Sequence, residues 1–209
     1  MQATCPLCSS VSKVSFEIED TYYKCETCHG IFVDENTRPN RVEEKKRYEL
    51  HDDDTSDNGY RKFVHPITSS IMNDFDEDAL GLDFGAGTSA IISVVLKEQR
   101  YNIKNYDPYF HIHPELLEKK YDYISSCEVI EHFYNPHKEF TLLKSMLGSN
   151  SKLYLMTEVY SEGINFASWY YKNDPTHVFF YSKETFEWIK NRFKFKSVSI
   201  EKRLIVFEN

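Results

Sequence analysis

The sequence predicts an α/β fold, a doubly wound sheet of alternating strands and helices behind a small N-terminal cysteine ribbon. Three observations predict it: two Cys-x2-Cys pairs open the chain, strand and helix patterns alternate from residue 80 onward, and a Gly85-x-Gly87 turn joins the first of those strands to its helix. A chain of 209 residues has room for one full α/β domain and a small appendage. With 41% apolar and 15% aromatic residues it can fill a core, which excludes a disordered or collagen-like chain.

The ribbon occupies residues 1–33. Cys5-Pro-Leu-Cys8 and Cys25-Glu-Thr-Cys28 are separated by 16 residues, the spacing of a two-knuckle zinc site. Each knuckle aims two thiolates at one ion, so Cys5, Cys8, Cys25 and Cys28 form a closed, structural set. Val14, Phe16 and Ile18 alternate, and Tyr22 and Tyr23 lead into the second knuckle, as a hairpin requires. Cys25-Glu-Thr-Cys28-His29 also matches the haem-attachment pattern, but that reading leaves the first pair unexplained and supplies no second axial ligand. Two basic against four acidic side chains in this stretch make it no electrostatic grip for nucleic acid, which leaves a scaffold or a substrate lid.

Residues 34–78 read as a polar connector and cap segment. Arg41 to Leu50 has good helix formers, with Glu43 and Glu44 placed to pair with Arg47. Asp54-x-Ser56-x-Asn58-Gly59 resembles the start of a calcium loop, but the twelfth position is His65 where a bidentate Glu is required, so a turn is expected.

Residues 79–209 carry the α/β alternation. Ala79 to Phe84 is an apolar strand, Gly85 to Ser89 a tight turn, and Ala90 to Glu98 a helix with Ala90, Ile91, Val94 and Val95 on one face. Tyr101 to Tyr106 is a strand ending at Asp107-Pro108. The next unit shrinks to Phe110 to Lys120, with Pro114 at its centre, a loop with one helical turn. Tyr121 to Cys127 is a strand, and Asn135-Pro136 starts a helix that runs to Leu147-Gly148. Lys152 to Glu158 is a strand, Ser182 caps a helix through Arg192, and Phe193 to Ile200 with Leu204 to Glu208 form a terminal hairpin.

With Ala90 in last place the glycine turn fits the dinucleotide fingerprint, and Asp107 follows where a ribose-binding acid belongs. Sign of charge argues for a different cofactor. A site holding Asp83, Asp107 and Glu128 repels two bridging phosphates and suits S-adenosylmethionine, which carries a sulfonium, an ammonium and a single carboxylate.

Together these residues resemble class I S-adenosylmethionine-dependent methyltransferases, and among them the small bacterial-type enzymes with an N-terminal zinc ribbon. The resemblance rests on the paired cysteines, Leu82-Asp83-Phe84-Gly85-Ala86-Gly87, Tyr106-Asp107-Pro108, Tyr121-Asp122-Tyr123-Ile124, Glu128-Val129-Ile130-Glu131-His132, and Asp174-Pro175-Thr176-His177-Val178-Phe179-Phe180-Tyr181. It implies a Rossmann-like seven-stranded sheet with its last strand antiparallel. Cofactor contacts are implied for Asp83, Phe84, Gly85, Ala86 and Gly87 beside the methionyl part, for Asp107 and Pro108 at the ribose, and for Cys127 and Glu128 at the end of the fourth strand. Ser89 stands where the family has its third glycine.

Methyl transfer from a sulfonium is an in-line displacement, so the protein's task is to hold nucleophile and methyl carbon close and collinear. His177 is the candidate general base: its ordinary near-neutral pKa suits the role, and Pro175 sets it on a loop above the carboxyl ends of the strands. Tyr48, His51, Tyr60, Tyr160 and Tyr170 are expected to line the same cavity, against core packing as the ordinary alternative. Glu128, Glu131 and His132, at i, i+3 and i+4, offer another use: with His177 they could hold a divalent ion, a pattern similar to metal-dependent O-methyltransferases, and His132 becomes the second candidate catalytic residue.

The formal charge of −8 disfavours a phosphate backbone as partner. The glycine turn, Asp107 and the His177 loop together point to a small-molecule methyl acceptor, with a non-catalytic zinc-ribbon interaction module, whose fold only binds, as the alternative. The most apolar stretch, Ala90 to Leu96, is far short of a membrane span, and the first residues lack a signal pattern, so a cytoplasmic enzyme without a membrane partner is expected.

Overall fold

The computed structural model describes residues 1–50 and 54–209. His51, named above as an acceptor contact, lies outside the described residues.

Four antiparallel strands build the ribbon: β1 (Gln2–Thr4), β2 (Val11–Glu17), β3 (Thr21–Lys24) and β4 (Ile31–Val33). Its two knuckles share one geometry. Cys5 N–H donates to Ser10 and Ser9 N–H to Cys5, with Ser9 at φ 64°; Cys25 N–H donates to Gly30 and His29 N–H to Cys25, with His29 at φ 60°. These left-handed corners turn each pair of thiols inward, leaving Cys5 Sγ 3.5 Å from Cys28 Sγ and Cys8 Sγ 3.3 Å from Cys25 Sγ.

Helix α1 (Arg41–Tyr48) starts at a capping box in which Asn40 accepts from Val42 and Glu43 while the Glu43 carboxylate accepts from the Asn40 amide. Within the stretch read as a polar connector, α2 (Asn58–Asp74) is a 17-residue helix, and its Val64, Ile67 and Ile71 are fully buried. The chain then alternates: β5 (Leu80–Phe84), α3 (Ile91–Glu98), β6 (Asn102–Tyr106), β7 (Tyr121–Cys127), α4 (Pro136–Met146), β8 (Leu147–Met156), β9 (Val159–Tyr160), β10 (Phe179–Ser182), α5 (Lys183–Phe193), β11 (Ser197–Glu201) and β12 (Leu204–Glu208). No described helix is long and apolar enough to cross a membrane.

The main sheet has the order β11-β12-β8-β7-β5-β6, with β6, β5, β7 and β8 mutually parallel and β12 antiparallel to β8. Among the described residues it holds six strands, where the resemblance implied seven. The shrunken unit after β6 adds none, because an antiparallel bridge between Asp107 and His111 folds the chain back and Pro114–Glu118 then forms a 3-10 turn. Strand residues alternate between two apolar layers: Tyr123, Tyr154 and Met156 face α2 and α3, while Leu82, Ile124, Leu153 and Leu155 face α4 and α5. The second of these layers also contains Cys5, Leu7, Tyr23, Cys25, Cys28 and Phe32, so ribbon and sheet share a core. β10 joins the ribbon's sheet, in the order β1-β2-β3-β4-β10-β9.

Candidate active site

The carboxyl ends of β5, β6, β7 and β8 converge on one region, where ligands bind in open α/β sheets. At the end of β5, Gly85 and Gly87 adopt φ of 78° and 63°, a conformation glycine reaches without strain. A Cβ at Gly85 would meet the Val129 side chain at 2.5 Å, whereas one at Gly87 would meet nothing within 4 Å, so the turn opens outward at Gly87. Asp107, at the end of β6, fastens this turn: one oxygen accepts from Gly87 N–H at 3.0 Å, the other from Tyr109 and Phe110 N–H at 2.8 and 3.1 Å. Pro108 beside it is exposed.

Three of the residues read as cofactor contacts turn their side chains elsewhere. The Asp83 carboxylate is buried beneath the turn, accepting from the Ser125 hydroxyl at 3.0 Å and the Ser93 hydroxyl at 3.5 Å, and burial pushes its pKa up to about 7. Phe84 stacks on Tyr106 and packs against Phe133 in the core, so it offers a ligand only its backbone. Cys127 packs against the apolar layer under α2 and α3, and burial raises its thiol pKa well above the ordinary value.

Glu128 follows β7 with φ 52°, a left-handed conformation that costs a glutamate about 1–2 kcal/mol. Its Oε2 lies 2.7 Å from the Arg203 guanidinium, and its Oε1 is a buried oxygen without a hydrogen-bond partner among the described residues. Arg203 reaches this position from the two-residue turn between β11 and β12, where its carbonyl accepts from Thr157 N–H at the end of β8. It also pairs with Glu158 at 3.2 Å and lies over the Phe63 ring from α2.

Glu131 is fully buried, with its carboxylate hydrogen-bonded by the Tyr171 and Thr157 hydroxyls. Tyr171 also approaches Glu128 Oε2 at 3.2 Å, so one phenol touches both glutamates. Burial, and then the neighbouring carboxylate, push Glu128 up to about 8; burial pushes Glu131 up to about 7.

The two histidines meet with ring centroids 4.8 Å apart. His132 Nδ1 donates to the Thr176 carbonyl at 2.9 Å and His177 Nδ1 to the Tyr171 carbonyl at 2.6 Å, which fixes the orientation of both rings. His177 is a weaker base than its residue type suggests, because burial, helped by His132, lowers its pKa to about 4. Ligand atoms of Glu131, His132 and His177 lie within 4.8 Å of one another. Glu128, the fourth member of the set read from sequence, is turned to Arg203 instead.

A cavity of about 430 Å³ opens over these groups, lined among others by Arg47, Phe63, Glu128, Tyr171, His177 and Arg203. Helix α1 forms one wall: Arg47 pairs with Asp174 at 2.9 Å, and the buried Glu44 accepts from Tyr48 and Tyr109 hydroxyls at 2.9 and 2.6 Å. Of the tyrosines read as acceptor contacts, Tyr170 lines the cavity and Tyr48 packs edge-on against His132. Tyr60 packs against the layer under α2 and α3. Tyr160 does not line the cavity: β9 turns it into the aromatic cluster of Phe166 and Trp169 that backs Tyr171. Arg47, Phe63, Tyr171 and Arg203 escaped sequence reading, since no local pattern marks a residue brought in by a helix face or a hairpin turn.

Residues 58–200, more than half of the chain, match the family profile described as a methyltransferase domain. No curated protein matches the sequence. Among solved structures, magnesium protoporphyrin IX methyltransferase from Synechocystis PCC 6803 is similar at TM-score 0.54 and 13% identity, over 81% of this chain and 94% of that one. Human N-acetylserotonin methyltransferase is similar at TM-score 0.53 and 8% identity, over 72% and 53%. The mitomycin 7-O-methyltransferase MmcR gives TM-score 0.51 and 10% identity, over 74% and 58%. The chain thus spans little more than half the length of several structures it matches, and at these identities the likeness is one of fold.

Proposed function

The chain belongs to the methyltransferase-domain family, and from that premise we propose that it methylates a small molecule at oxygen, nitrogen or carbon with S-adenosylmethionine as donor. The carrying observation is the outward-opening Gly85–Gly87 turn fastened to Asp107, beside a cavity whose floor holds Glu128 and His177. The donor, when bound, supplies a methyl group on a positively charged sulfur. Residues present fit such a group: the turn leaves space at Gly87, Asp107 is an anion at the ribose position, and the free Oε1 of Glu128 is an acceptor beside the cavity. Asp83 supports the turn from below.

The chain's own groups then orient the acceptor. His177 is neutral near pH 7, its pKa lowered to about 4 by burial, and with its one proton on Nδ1 the Nε2 lone pair takes a proton from an acceptor hydroxyl or amine as the new bond forms. The Tyr171 ring, 4.2 Å from the imidazole centroid, and its carbonyl fix the direction of that lone pair. Phe63 and Arg203, the guanidinium over the ring, line the same cavity. Calorimetry with S-adenosylmethionine and S-adenosylhomocysteine, with NAD as control, tests the reading. Binding of both sulfur compounds supports it; binding of NAD alone overturns it.

A second reading is favoured by one observation, the convergence of Glu131, His132 and His177. Donation of each Nδ1 to a backbone carbonyl is the support that metal-bound histidines ordinarily receive. A divalent ion held there would supply Lewis-acid activation of an acceptor oxygen. The four cysteines, in turn, fit structural zinc: their sulfurs lie within 4.8 Å of one another, near the about 3.8 Å edge of a tetrahedron with 2.3 Å bonds.

A further inference from the structure

The loop that carries His177 and the cysteine ribbon are parts of one hydrogen-bonded sheet. β10 pairs with β4, setting Phe179 opposite Phe32 and Phe180 opposite Ile31. The Val178 carbonyl accepts from Val33 N–H at 3.1 Å, while Val178 N–H donates to the Glu131 carbonyl at 2.8 Å. The residue next to His177 is therefore held on one side by the ribbon and on the other by the turn that bears Glu131 and His132.

The second cysteine knuckle reaches the same point through a glycine. The Gly30 carbonyl closes that knuckle by accepting from Cys25 N–H at 2.9 Å. A Cβ on Gly30 would lie 2.3 Å from Phe179 Cζ, so the ring of Phe179 occupies the space a side chain there would fill. Phe179 is fully buried, its ring parallel to that of Phe32 at 6.3 Å and 4.7 Å from that of Tyr181, whose hydroxyl donates to the Ile130 carbonyl. From knuckle to His177 runs a path of packed, hydrogen-bonded groups through the buried Phe179 and Val178.

We propose that the cysteine ribbon is a positioning element for the active-site loop, with Gly30 and Phe179 as the contact that links occupancy of the four-thiolate site to the order of His177. Zinc closes both knuckles and so fixes the Gly30 backbone; without it the seat of Phe179 loosens and β10 loses a partner that orients Val178. Linkage is reciprocal: a perturbed loop must also weaken zinc retention. This inference rests on the zinc reading of the cysteines and not on methyl transfer.

The test is amide hydrogen exchange on the full chain, with zinc quantified before and after a chelator. Expected are one zinc per chain and, on its removal, at least tenfold faster exchange across residues 169–182 while β5 and β7 keep their protection. Gly30→Ala, which leaves every cysteine in place, should speed exchange at Val178, shift the His177 ring resonances and accelerate zinc release. Adding Phe179→Leu should restore all three by vacating the Cζ position. Absence of zinc from the purified chain overturns the four-thiolate reading together with this inference. Zinc whose removal leaves residues 169–182 unchanged overturns the inference alone, and so does a loss of protection that extends through β5 and β7, since zinc would then hold the whole chain. A Gly30→Ala protein that matches wild type in exchange and zinc release also overturns it.

Discussion

The Arg203 guanidinium lies 2.7 Å from the Glu128 carboxylate and brings the C-terminal hairpin to the end of the strand that precedes the site. Glu128 and Arg203 keep 28% and 29% of their side-chain exposure, so the pair is worth less than a fully buried one. Its loss nevertheless leaves a carboxylate facing Glu131 without its cation. Arg203→Met should cost about 1–3 kcal/mol in urea unfolding, below the 3–5 kcal/mol of a dry pair. Arg203→Met combined with Glu128→Gln should recover most of it, and an unrecovered double variant would show that Arg203 acts through packing on Phe63 instead.

Asp107 accepts three backbone N–H groups, one from the glycine turn and two from the loop after β6. Asp107→Ala should therefore act twice. Calorimetry should show S-adenosylhomocysteine affinity reduced by about 1.5–3 kcal/mol, the worth of a charge-assisted hydrogen bond. Thermal unfolding should also occur at lower temperature in the absence of any ligand. Unchanged affinity in a folded variant would remove Asp107 from the ribose role.

Asp83 supplies a pH signature. Its folded pKa, raised by burial to about 7, exceeds the unfolded value of 3.8, so the native state holds a proton that the unfolded state releases between these values. The contribution is present below pH 3.8 and is lost as pH rises through 7, on the order of 4 kcal/mol at most at 1.36 kcal/mol per pH unit. Asp83→Asn retains an acceptor for Ser125 and has no proton to lose. Relative to wild type, the variant should gain stability between pH 5 and pH 8 in parallel urea titrations. Equal changes in the two proteins would mean that Asp83 titrates normally.

Much of this architecture is legible in the sequence because local and global signals agree. The strand ending at Asp83-Phe84, the Asn135-Pro136 helix start and the closing hairpin each carry turn or cap residues that match their tertiary role. Helix α2 was not legible, since Pro66 sits inside it and its apolar face emerges only against α3. The pairing of β10 with β4 joins segments about 150 residues apart, a contact that periodicity does not encode. At the site, His177, Glu131 and His132 could be named from sequence; Tyr171 and Arg203 could not, because aromatic runs and hairpin turns look alike whether or not they end at a cavity.

The cluster of Glu131, His132 and His177 separates the two readings of the chemistry. If the cluster holds an ion, Mn²⁺ titrated into the wild-type chain should bind with one site. His132→Ala, which removes a ligand, should then weaken that binding by at least about tenfold, the least that losing even an outer-shell partner costs. S-adenosylhomocysteine affinity should remain, because the glycine turn is fastened by Asp107, while His132 donates to the Thr176 carbonyl. His177→Ala should abolish ion binding and turnover together. If the wild type binds no ion, His177→Ala should still slow turnover by about 10²–10⁴, the usual contribution of a positioned base, while His132→Ala changes it little. The different response of the two histidines, neighbours at 4.8 Å, therefore distinguishes a metal ligand from a proton acceptor.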